Sequence, residues 1–227
     1  MARSRTRTVP LNRALSKLGA LSRSQATEAV RAGRIRVHGR IVHDPLLPVV
    51  PEDARILLDG RPVEADLWRT IAFYKPDGVL TTRRDPLGRR TIYDVLGDVA
   101  RNLVAVGRLD RATSGLLLLT NDTQLANWIT DPANEVPRVY LVTAEGRVTA
   151  EDCARLSSGL IDRSETLRAA SAKIRKASGR ESHLIVELTE GRNREIRRMF
   201  AAIDHEVIRL KRVSIGGLQL GDLSPGE

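Results

Sequence analysis

Cysteine is nearly absent from this chain of 227 residues, since Cys153 is the only one. A single cysteine excludes an internal disulfide framework and is typical of a reducing compartment. Long apolar runs are missing as well, because stretches such as 116–119 are far shorter than the roughly 18 residues that cross a bilayer. Residues 1–8 are basic but lack the apolar core of a secretory signal. We therefore expect a cytoplasmic protein with no membrane attachment.

Several signatures of common enzymes are missing too. Aromatic residues make up only 3% of the chain, which argues against a surface on which many bases stack in series. The four histidines are scattered and no cysteine pair accompanies them, so no metal site is expected. The sequence has no Walker or dinucleotide-binding glycine pattern, no serine elbow and no Cys–His pair. Most familiar enzyme classes are thereby excluded.

What the sequence has in excess is positive charge. Lysine and arginine number 37 against 28 aspartate and glutamate residues, so the formal net charge is +9. Such a field attracts polyanions, and the planar arginine side chain suits bidentate phosphate contacts. The charge favours nucleic-acid binding, although arginines on ordinary solvated faces would give the same composition.

Residues 1–66 are interpreted as a small separate module. Apolar residues at helical spacing predict a first helix with Pro10 in its first turn. Ser22 and Gln25 form a capping-box pattern that predicts the start of a second helix. Two hairpins follow, with turns predicted at His38-Gly39 and Asp59-Gly60.

Residues 67–227 show longer strands that do not alternate regularly with helices. This pattern predicts an α+β fold with a mixed, largely antiparallel sheet flanked by helices. We predict strands at 71–74, 103–106, 116–119, 139–143, 184–188 and 207–210, and helices at 122–130, 149–156 and 192–202.

One motif in the second module carries charged residues in a turn between two strands. It runs Gly107-Arg108-Leu109-Asp110 and continues to Gly115 and an apolar strand. The arginines on either side of Asp110 would hold its carboxylate ionised, and an ionised carboxylate can act as a nucleophile or base. Taken alone, the same pattern also describes an ordinary surface ion pair.

The motif, with the Thr-Ser-Gly-Leu-Leu-Leu-Leu-Thr-Asn-Asp that follows at 113–122, resembles the catalytic signature of the RsuA family of ribosomal RNA pseudouridine synthases. Further blocks match that family in order, namely Tyr74-Lys75-Pro76-Asp77-Gly78-Val79, Arg138-Val139-Tyr140-Leu141-Val142, the segment 190–200 and the segment 207–212. Arg138 stands where lysine is commoner.

The first module resembles an S4-type RNA-binding domain at 22–25 and 33–39, with His38 where asparagine is usual. The resemblance therefore implies an S4-type domain at 1–66 and a catalytic domain at 67–227.

The resemblance also implies roles for individual residues. Asp110 would be the nucleophile, acting at the ribose anomeric carbon or through an elimination route. Tyr140 would stack on the uracil and help to move a proton, and Arg197 would pair with the Asp110 carboxylate. Leu210 would form the apolar floor of the pocket. Arg108 would hold the motif and fill the space left by the flipped base.

Further arginines are implied as RNA contacts, although solvated faces would place them in the same way. They are Arg192, Arg194, Arg197 and Arg198 on a basic helix, and Arg23, Arg31, Arg34 and Arg36 in the S4-type module. The isomerisation breaks a glycosidic C–N bond and forms a C–C bond in its place. It needs no redox change, group donor or energy source, so the resemblance implies no cofactor and no metal.

The implied substrate is 23S or 16S ribosomal RNA, or a pre-ribosomal particle, and the protein is expected to be a monomer. Two rival interpretations stay open at this point. One is a non-catalytic S4-type RNA-binding protein that acts in ribosome assembly. The other is a related family that modifies transfer RNA, which the segment 193–199 disfavours because that family usually has a histidine-containing version.

Overall fold

The computed structural model describes residues 8–51, 54–64 and 67–227. The basic residues 1–7, and Asp66, after which the domain boundary is predicted, lie outside these ranges. Two compact units are distinguished. One contains the described residues up to Thr70 together with Asn102–Val104 and Asn121–Thr123, and the other contains Ile71–Arg101, Ala105–Thr120 and Gln124–Glu227.

The N-terminal unit combines two helices with short antiparallel strands. Its elements are β1 (Val9–Pro10), α1 (Leu11–Lys17), α2 (Arg23–Arg31), β2 (Ile35–Val37), β3 (Arg40–Ile41), β4 (Pro48–Val49), β5 (Ile56–Leu58) and β6 (Arg61–Pro62). Strand β1 pairs with β4, and the other strands form a sheet in the order β3-β2-β5-β6. The apolar faces of both helices pack with Ile35 and Ile56 in one core.

Local sequence signals predicted this unit well. Ser22 and Gln25 form the reciprocal capping box that opens α2. Both predicted hairpin turns have positive φ angles, at His38-Gly39 and at Asp59-Gly60. Pro10 is an exception, because it precedes α1 as the N-cap residue and belongs to β1. Its fixed φ angle suits extended backbone as well as a first helical turn.

The second unit, with the strand residues that lead into it, is built on one mixed sheet. Its elements are β7 (Thr70–Lys75), α3 (Ile92–Leu96), β8 (Val104–Ala105), β9 (Ser114–Thr120), α4 (Thr123–Thr130), β10 (Arg138–Glu145), α5 (Ala150–Ser158), β11 (Leu160–Asp162), β12 (Glu165–Leu167), β13 (Ser171–Ala177), β14 (Glu181–Leu188), α6 (Glu195–Ala201), β15 (Val207–Ile215) and β16 (Leu218–Gln219), with 3-10 turns at Gly97–Ala100 and Pro132–Asn134.

The main sheet has the order β13-β14-β10-β15-β9-β7, with β16 beside β15 and β8 beside β9. Strand β10 is antiparallel to both β14 and β15, whereas β15 and β9 are parallel. The predicted α+β fold with a mixed, largely antiparallel sheet is therefore confirmed. The hairpin of β11 and β12 and the short helix α3 were not predicted, because elements of so few residues show little periodicity.

The predicted helix at 192–202 is shorter in the structure, where α6 begins at Glu195. Arg194 has a φ angle of 49°, in the left-handed region, and a helix cannot run through that conformation. Arg192 and Arg194 therefore lie in the loop before α6 and not on a basic helix. Only Arg197 and Arg198 of the predicted helical set lie within it.

Gly115 allows an unusually close approach between β9 and β15. It pairs with Arg212 in the parallel register and has a φ angle of +105°. A Cβ atom at this position would lie 2.1 Å from the Arg212 carbonyl oxygen. Only glycine fits such a backbone approach, which brings the turn preceding β9 next to the centre of the sheet.

Candidate active site

An open cavity of about 680 Å³ lies within the C-terminal unit. Its wall combines the loop at 106–110, the end of α4, the face of β10, β14 and β15, and the loop that leads into α6. Of the residues singled out from the sequence, those that line it are Arg108, Asp110, Tyr140, Arg192, Arg194 and Leu210. Arg197 and Arg198 are not part of the lining.

The backbone around Asp110 is held by hydrogen bonds to neighbouring elements. The Thr81 hydroxyl donates to the Leu109 carbonyl oxygen at 2.8 Å and accepts from the Leu109 backbone N–H at 3.3 Å. The Thr113 N–H donates to the Asp110 carbonyl oxygen at 3.0 Å. Asp110 is thus displayed, half-buried, on a turn whose backbone is fixed independently of its carboxylate. Nothing in the sequence pattern pointed to Thr81.

Lys75 also fixes the backbone of this turn by hydrogen bonds. Its side chain is fully buried, and Nζ donates to the carbonyl oxygens of Pro76, Thr113 and Arg111 at 2.9, 2.8 and 3.4 Å. Burial lowers the pKa of Lys75 to about 8, while the negative charges of Asp77 and Asp110 act in the opposite direction. The sequence placed Lys75 in a matching block but did not show that it ties β7 to the Asp110 turn.

Arg197 connects α6 with this turn, but not in the way that was predicted. Its guanidinium donates to the carbonyl oxygens of Ala112 and Val207, both at 2.6 Å. The structure shows no salt bridge between Arg197 and Asp110, both of which lie in its described part. Burial and Arg194 lower the pKa of Arg197, and the charge of Asp110 opposes this shift. Both Nη atoms of Arg197 are thus bound to backbone oxygens and not to the Asp110 carboxylate. Arg197 therefore acts on Asp110 in two ways, by the attraction between their charges and by its hydrogen bond to Ala112 in the same turn.

Tyr140 and Leu210 lie on one face of the sheet. Tyr140 is paired with Arg212 across β10 and β15, and directly paired residues project on the same side. Leu210 is two residues from Arg212 along β15 and so faces the same way. Both side chains are largely buried and line the cavity. Asp110 lines the same cavity from the loop at 106–110.

Arg138, where the family more often has lysine, ties the sheet to the end of α4. Its guanidinium donates to the carbonyl oxygens of Val136, Thr189 and Ile129 at 3.1, 3.1 and 2.8 Å. Burial lowers its pKa. Its planar fork of five N–H donors thus serves three separate carbonyl groups at once.

Glu195 is a buried acid in the cavity wall that sequence reasoning missed. Only 3% of the residue is exposed, and Oε2 accepts a hydrogen bond from the Arg192 backbone N–H at 3.0 Å. Burial, together with nearby Glu190, raises its pKa to about 7, against the lowering effect of Arg192. The acid thus closes the 192–195 turn and changes its charge near neutral pH.

Replacing Glu195 by Gln is expected to remove a pH dependence from the stability of the fold. A carboxyl whose pKa is raised on folding stabilises the native state below its ordinary pKa of 4.5, and that stabilisation is lost as the pH rises towards 7. The neutral amide does not titrate. Relative to E195Q, the wild-type protein should lose on the order of 3 kcal/mol of unfolding free energy over this window.

Urea unfolding of both proteins at pH 4.5, 6 and 8 measures this difference. Exposed Glu151 on α5 offers a matched control, and the E151Q variant should follow the wild-type protein at every pH. Parallel pH profiles for E195Q and the wild type would contradict the buried-acid interpretation.

Arg198 binds acidic side chains and does not line the cavity. Its guanidinium donates to the carboxylate of Asp162, and Nη2 forms a salt bridge of 2.6 Å with Glu165. Its side chain is only 17% exposed. These contacts tie α6 to the β11–β12 hairpin and occupy the guanidinium that was predicted to contact RNA. Arg192 also has an acidic partner, since its Nε donates to Glu190 at 2.8 Å.

Arg198, within α6, and Arg194, just before it, should therefore respond differently to substitution. R198Q leaves two acidic groups without their partner and is expected to lower the urea concentration at which the protein unfolds, with RNA affinity nearly unchanged. R194Q should leave stability unchanged, weaken RNA binding and reduce the salt dependence by about one ion, because Arg194 is exposed at the cavity. Chemical unfolding and salt-dependent RNA titrations measure both, and equal effects of the two variants would contradict this division.

The predicted RNA contacts of the N-terminal unit are exposed, as an RNA-binding role requires. Arg23 begins α2, and Arg36 lies on β2 with its Nη1 3.4 Å from the Gly39 carbonyl oxygen. Arg34 is bound in bidentate fashion by Asp59, at 2.9 and 2.5 Å. An RNA phosphate would have to compete with that carboxylate, whereas Arg23 and Arg36 form no salt bridge within the described chain.

Two kinds of feature are not found in the part of the chain that the structure describes. No group of three histidine, cysteine, aspartate or glutamate side chains there is arranged to hold a metal ion. None of the helices described is long and apolar enough to span a bilayer. Cys153 is a buried residue of α5.

Comparison with known proteins assigns the class. A family model described as RNA pseudouridylate synthase matches residues 69–202, and an S4 domain model matches residues 9–55. The chain belongs to the RNA pseudouridylate synthase family and carries an S4 domain at its N-terminus. The expected enzyme class and the S4-type module are thereby confirmed.

Particular relatives agree over nearly the whole chain. It is 37% identical to an uncharacterized RNA pseudouridine synthase of Aquifex aeolicus, covering 96% of this chain and 88% of that protein. It is 35% identical to the ribosomal large subunit pseudouridine synthase B of Bacillus subtilis, with 96% and 89% covered. A crystal structure of a pseudouridylate synthase aligns with a TM-score of 0.66 at 29% identity, covering 96% of this chain and 94% of that one.

Proposed function

We propose that this protein converts one specific uridine of large-subunit (23S) ribosomal RNA into pseudouridine. The observation that carries this proposal is the meeting of Asp110, Tyr140 and Leu210 in one cavity. Relatives of Bacillus subtilis and Vibrio cholerae with 35% and 38% identity are named for the large ribosomal subunit. That shared designation favours 23S over 16S RNA as the substrate.

In the proposed reaction the target uridine leaves its stack and enters the cavity, which costs a few kcal/mol. Asp110 acts as the nucleophile at the ribose anomeric carbon, or by the elimination route. Tyr140 contacts the uracil ring and helps to move a proton, and Leu210 supplies an apolar floor. Arg197 positions the Asp110 turn through the Ala112 carbonyl group and stabilises the carboxylate through its charge.

We further propose that RNA is held mainly by its backbone. Arg108, Arg192 and Arg194 lie at the cavity, where they can contact phosphates near the flipped nucleotide. In the S4-type domain at 1–66, the proposed phosphate contacts are Arg23, Arg31, Arg34 and Arg36, all of which are exposed. Residues 67–227 would form the catalytic domain, and the protein would act in the cytoplasm as a monomer on ribosomal RNA or pre-ribosomal particles.

The test is release of tritium from carbon 5 of uracil in labelled transcripts of 23S and 16S RNA. Purified wild-type protein should release from the 23S transcript the amount of tritium that corresponds to one uridine per molecule. It should release none from the 16S transcript. Release from 16S RNA alone would contradict the substrate, and release from transfer RNA would favour the rival family. Binding without release from any of them would support the non-catalytic assembly protein instead.

A further inference from the structure

The cavity wall contains buried polar atoms that have no partner within the described chain. They are the Thr113 hydroxyl Oγ1, the Glu195 oxygen Oε1 and the Arg212 nitrogen Nη2. All three residues line the cavity and are at least 97% buried. Buried polar groups without hydrogen bonds are costly and rare, so atoms of this kind in a cavity wall are available as partners for a bound molecule.

Arg212 lies on β15, between β10 and β9. On one side β15 pairs it with Tyr140, and on the other with Gly115. Its Nε donates to the Leu116 carbonyl oxygen at 2.8 Å, which orients the guanidinium and leaves Nη2 unpaired. Because only 3% of the residue is exposed, Arg212 faces the interior of the cavity and not its RNA-facing rim.

Thr113 lies next to the neighbouring strand, β9. It directly precedes β9, whose Ser114 and Gly115 pair with Lys211 and Arg212. Thr113 and Arg212 line the same cavity. The Thr113 N–H binds the Asp110 carbonyl oxygen, so its hydroxyl is close in the chain to the proposed nucleophile.

The substrate of the proposed reaction supplies acceptors for such donors. Uracil presents an N3–H group between two carbonyl oxygens, O2 and O4. When the bond from C1′ to N1 breaks, its electron pair stays with the uracil and spreads onto these oxygens. A new C1′–C5 bond then forms, the C5 proton leaves and N1 gains one. The ring turns about its N3–C6 axis, which exchanges O2 with O4 and leaves N3–H in place.

We propose that Arg212, assisted by the Thr113 hydroxyl, binds a carbonyl oxygen of the flipped uracil before and after this rotation. One fixed donor can serve O4 in one orientation and O2 in the other. The buried guanidinium also stabilises the negative charge that develops on the detached ring. The inference rests on the proposed function and adds two substrate-contacting residues to it.

The first test uses single-turnover rates and RNA dissociation constants. R212Q should slow pseudouridine formation by about 100-fold, the usual effect of losing one such donor, with RNA affinity changed less than about 3-fold. R212K should restore part of the rate. Exposed Arg209 on the same strand provides the control, and R209Q should keep the wild-type rate. A loss of affinity with an unchanged bound-state rate would identify Arg212 as a phosphate contact and overturn the proposal.

A second variant guards against a loss of folding in R212Q. T113V removes the hydroxyl without changing the shape of the side chain. Because that hydroxyl has no partner in the free protein, T113V should be at least as stable as the wild type in urea unfolding. Its single-turnover rate should nevertheless fall by about 10-fold. A wild-type rate in T113V would remove Thr113 from the proposal.

The decisive test places 2-thiouridine or 4-thiouridine at the target position, because sulfur is a weaker acceptor than oxygen. Each thio substrate should slow the wild type by about 10-fold and R212Q much less, whereas a merely structural defect would slow all substrates equally. Equal thio penalties in both proteins would overturn the role of Arg212 while leaving the proposed function intact. A wild-type protein inactive on the unmodified substrate would instead remove both proposals.

Discussion

Asp110→Asn is expected to reduce pseudouridine formation by at least ~10⁴-fold, the effect of removing a catalytic nucleophile. The neutral amide has nearly the same shape as the carboxylate but neither its charge nor its nucleophilicity. The turn should keep its conformation, since Thr81 and Lys75 bind its backbone atoms and not the Asp110 side chain. Tritium release from a 23S transcript measures the loss, and RNA affinity should remain within about 3-fold of wild type.

Asp77→Asn is the matched control for this substitution. Asp77 exerts the same kind of attraction on Lys75 and Arg197 that Asp110 does, so both variants remove one negative charge from that field. The amide oxygen that replaces the Asp77 carboxylate can still accept the Gly78 N–H. D77N should retain activity within about 10-fold of wild type. Comparable residual activity in the two variants would show that Asp110 acts only through its charge.

Gly115→Ala is expected to lower the unfolding free energy by at least ~3 kcal/mol and to abolish activity as well. The added methyl carbon would lie 2.1 Å from the Arg212 carbonyl oxygen and 2.7 Å from its nitrogen. Both are backbone atoms, so no side chain can rotate away to relieve the overlap. The parallel contact of β9 with β15 would have to open, which would displace Arg212 and the Asp110 turn together. Urea unfolding and tritium release measure the two effects.

Gly88→Ala separates this overlap from the general effect of a positive φ angle. Gly88 has a φ angle of +66°, and a Cβ atom there would meet nothing within 4 Å. Only the strain of the left-handed conformation remains, which costs about 1 kcal/mol. Similar losses in G88A and G115A would mean that the contact with β15 does not determine the effect.

Features that depend on residues close in the chain were predicted correctly. The capping box of Ser22 and Gln25 and the turn at Asp59-Gly60 each follow from one or two residues whose side chain or backbone preference selects a local geometry. The apolar run before Asn121 likewise predicted the buried strand β9. Where local preference was weak the prediction was wrong, as at Arg194, whose left-handed backbone delays the start of α6.

The sequence predicted the central residues of the candidate site but not the residues that hold its backbone in place. Asp110, Tyr140 and Leu210 stand in recognisable motifs, and the structure brings them to one cavity. Thr81 and Glu195 carried no such signal, because a hydroxyl that clamps a distant backbone and an acid whose pKa rises on burial depend on what the fold packs around them.

The sequence by itself therefore determined the class of enzyme, through the ordered set of blocks around Gly107-Arg108-Leu109-Asp110 and not through that motif alone, since side-chain types at fixed spacing are properties of the chain. Only the tertiary structure decided what each arginine does. Arg197 binds two carbonyl groups, Arg198 binds two carboxylates, and Arg212 is left with an unpaired nitrogen in the cavity. The three side chains are chemically identical, and their roles differ because burial and hydrogen-bond partners come from elements far away in the sequence.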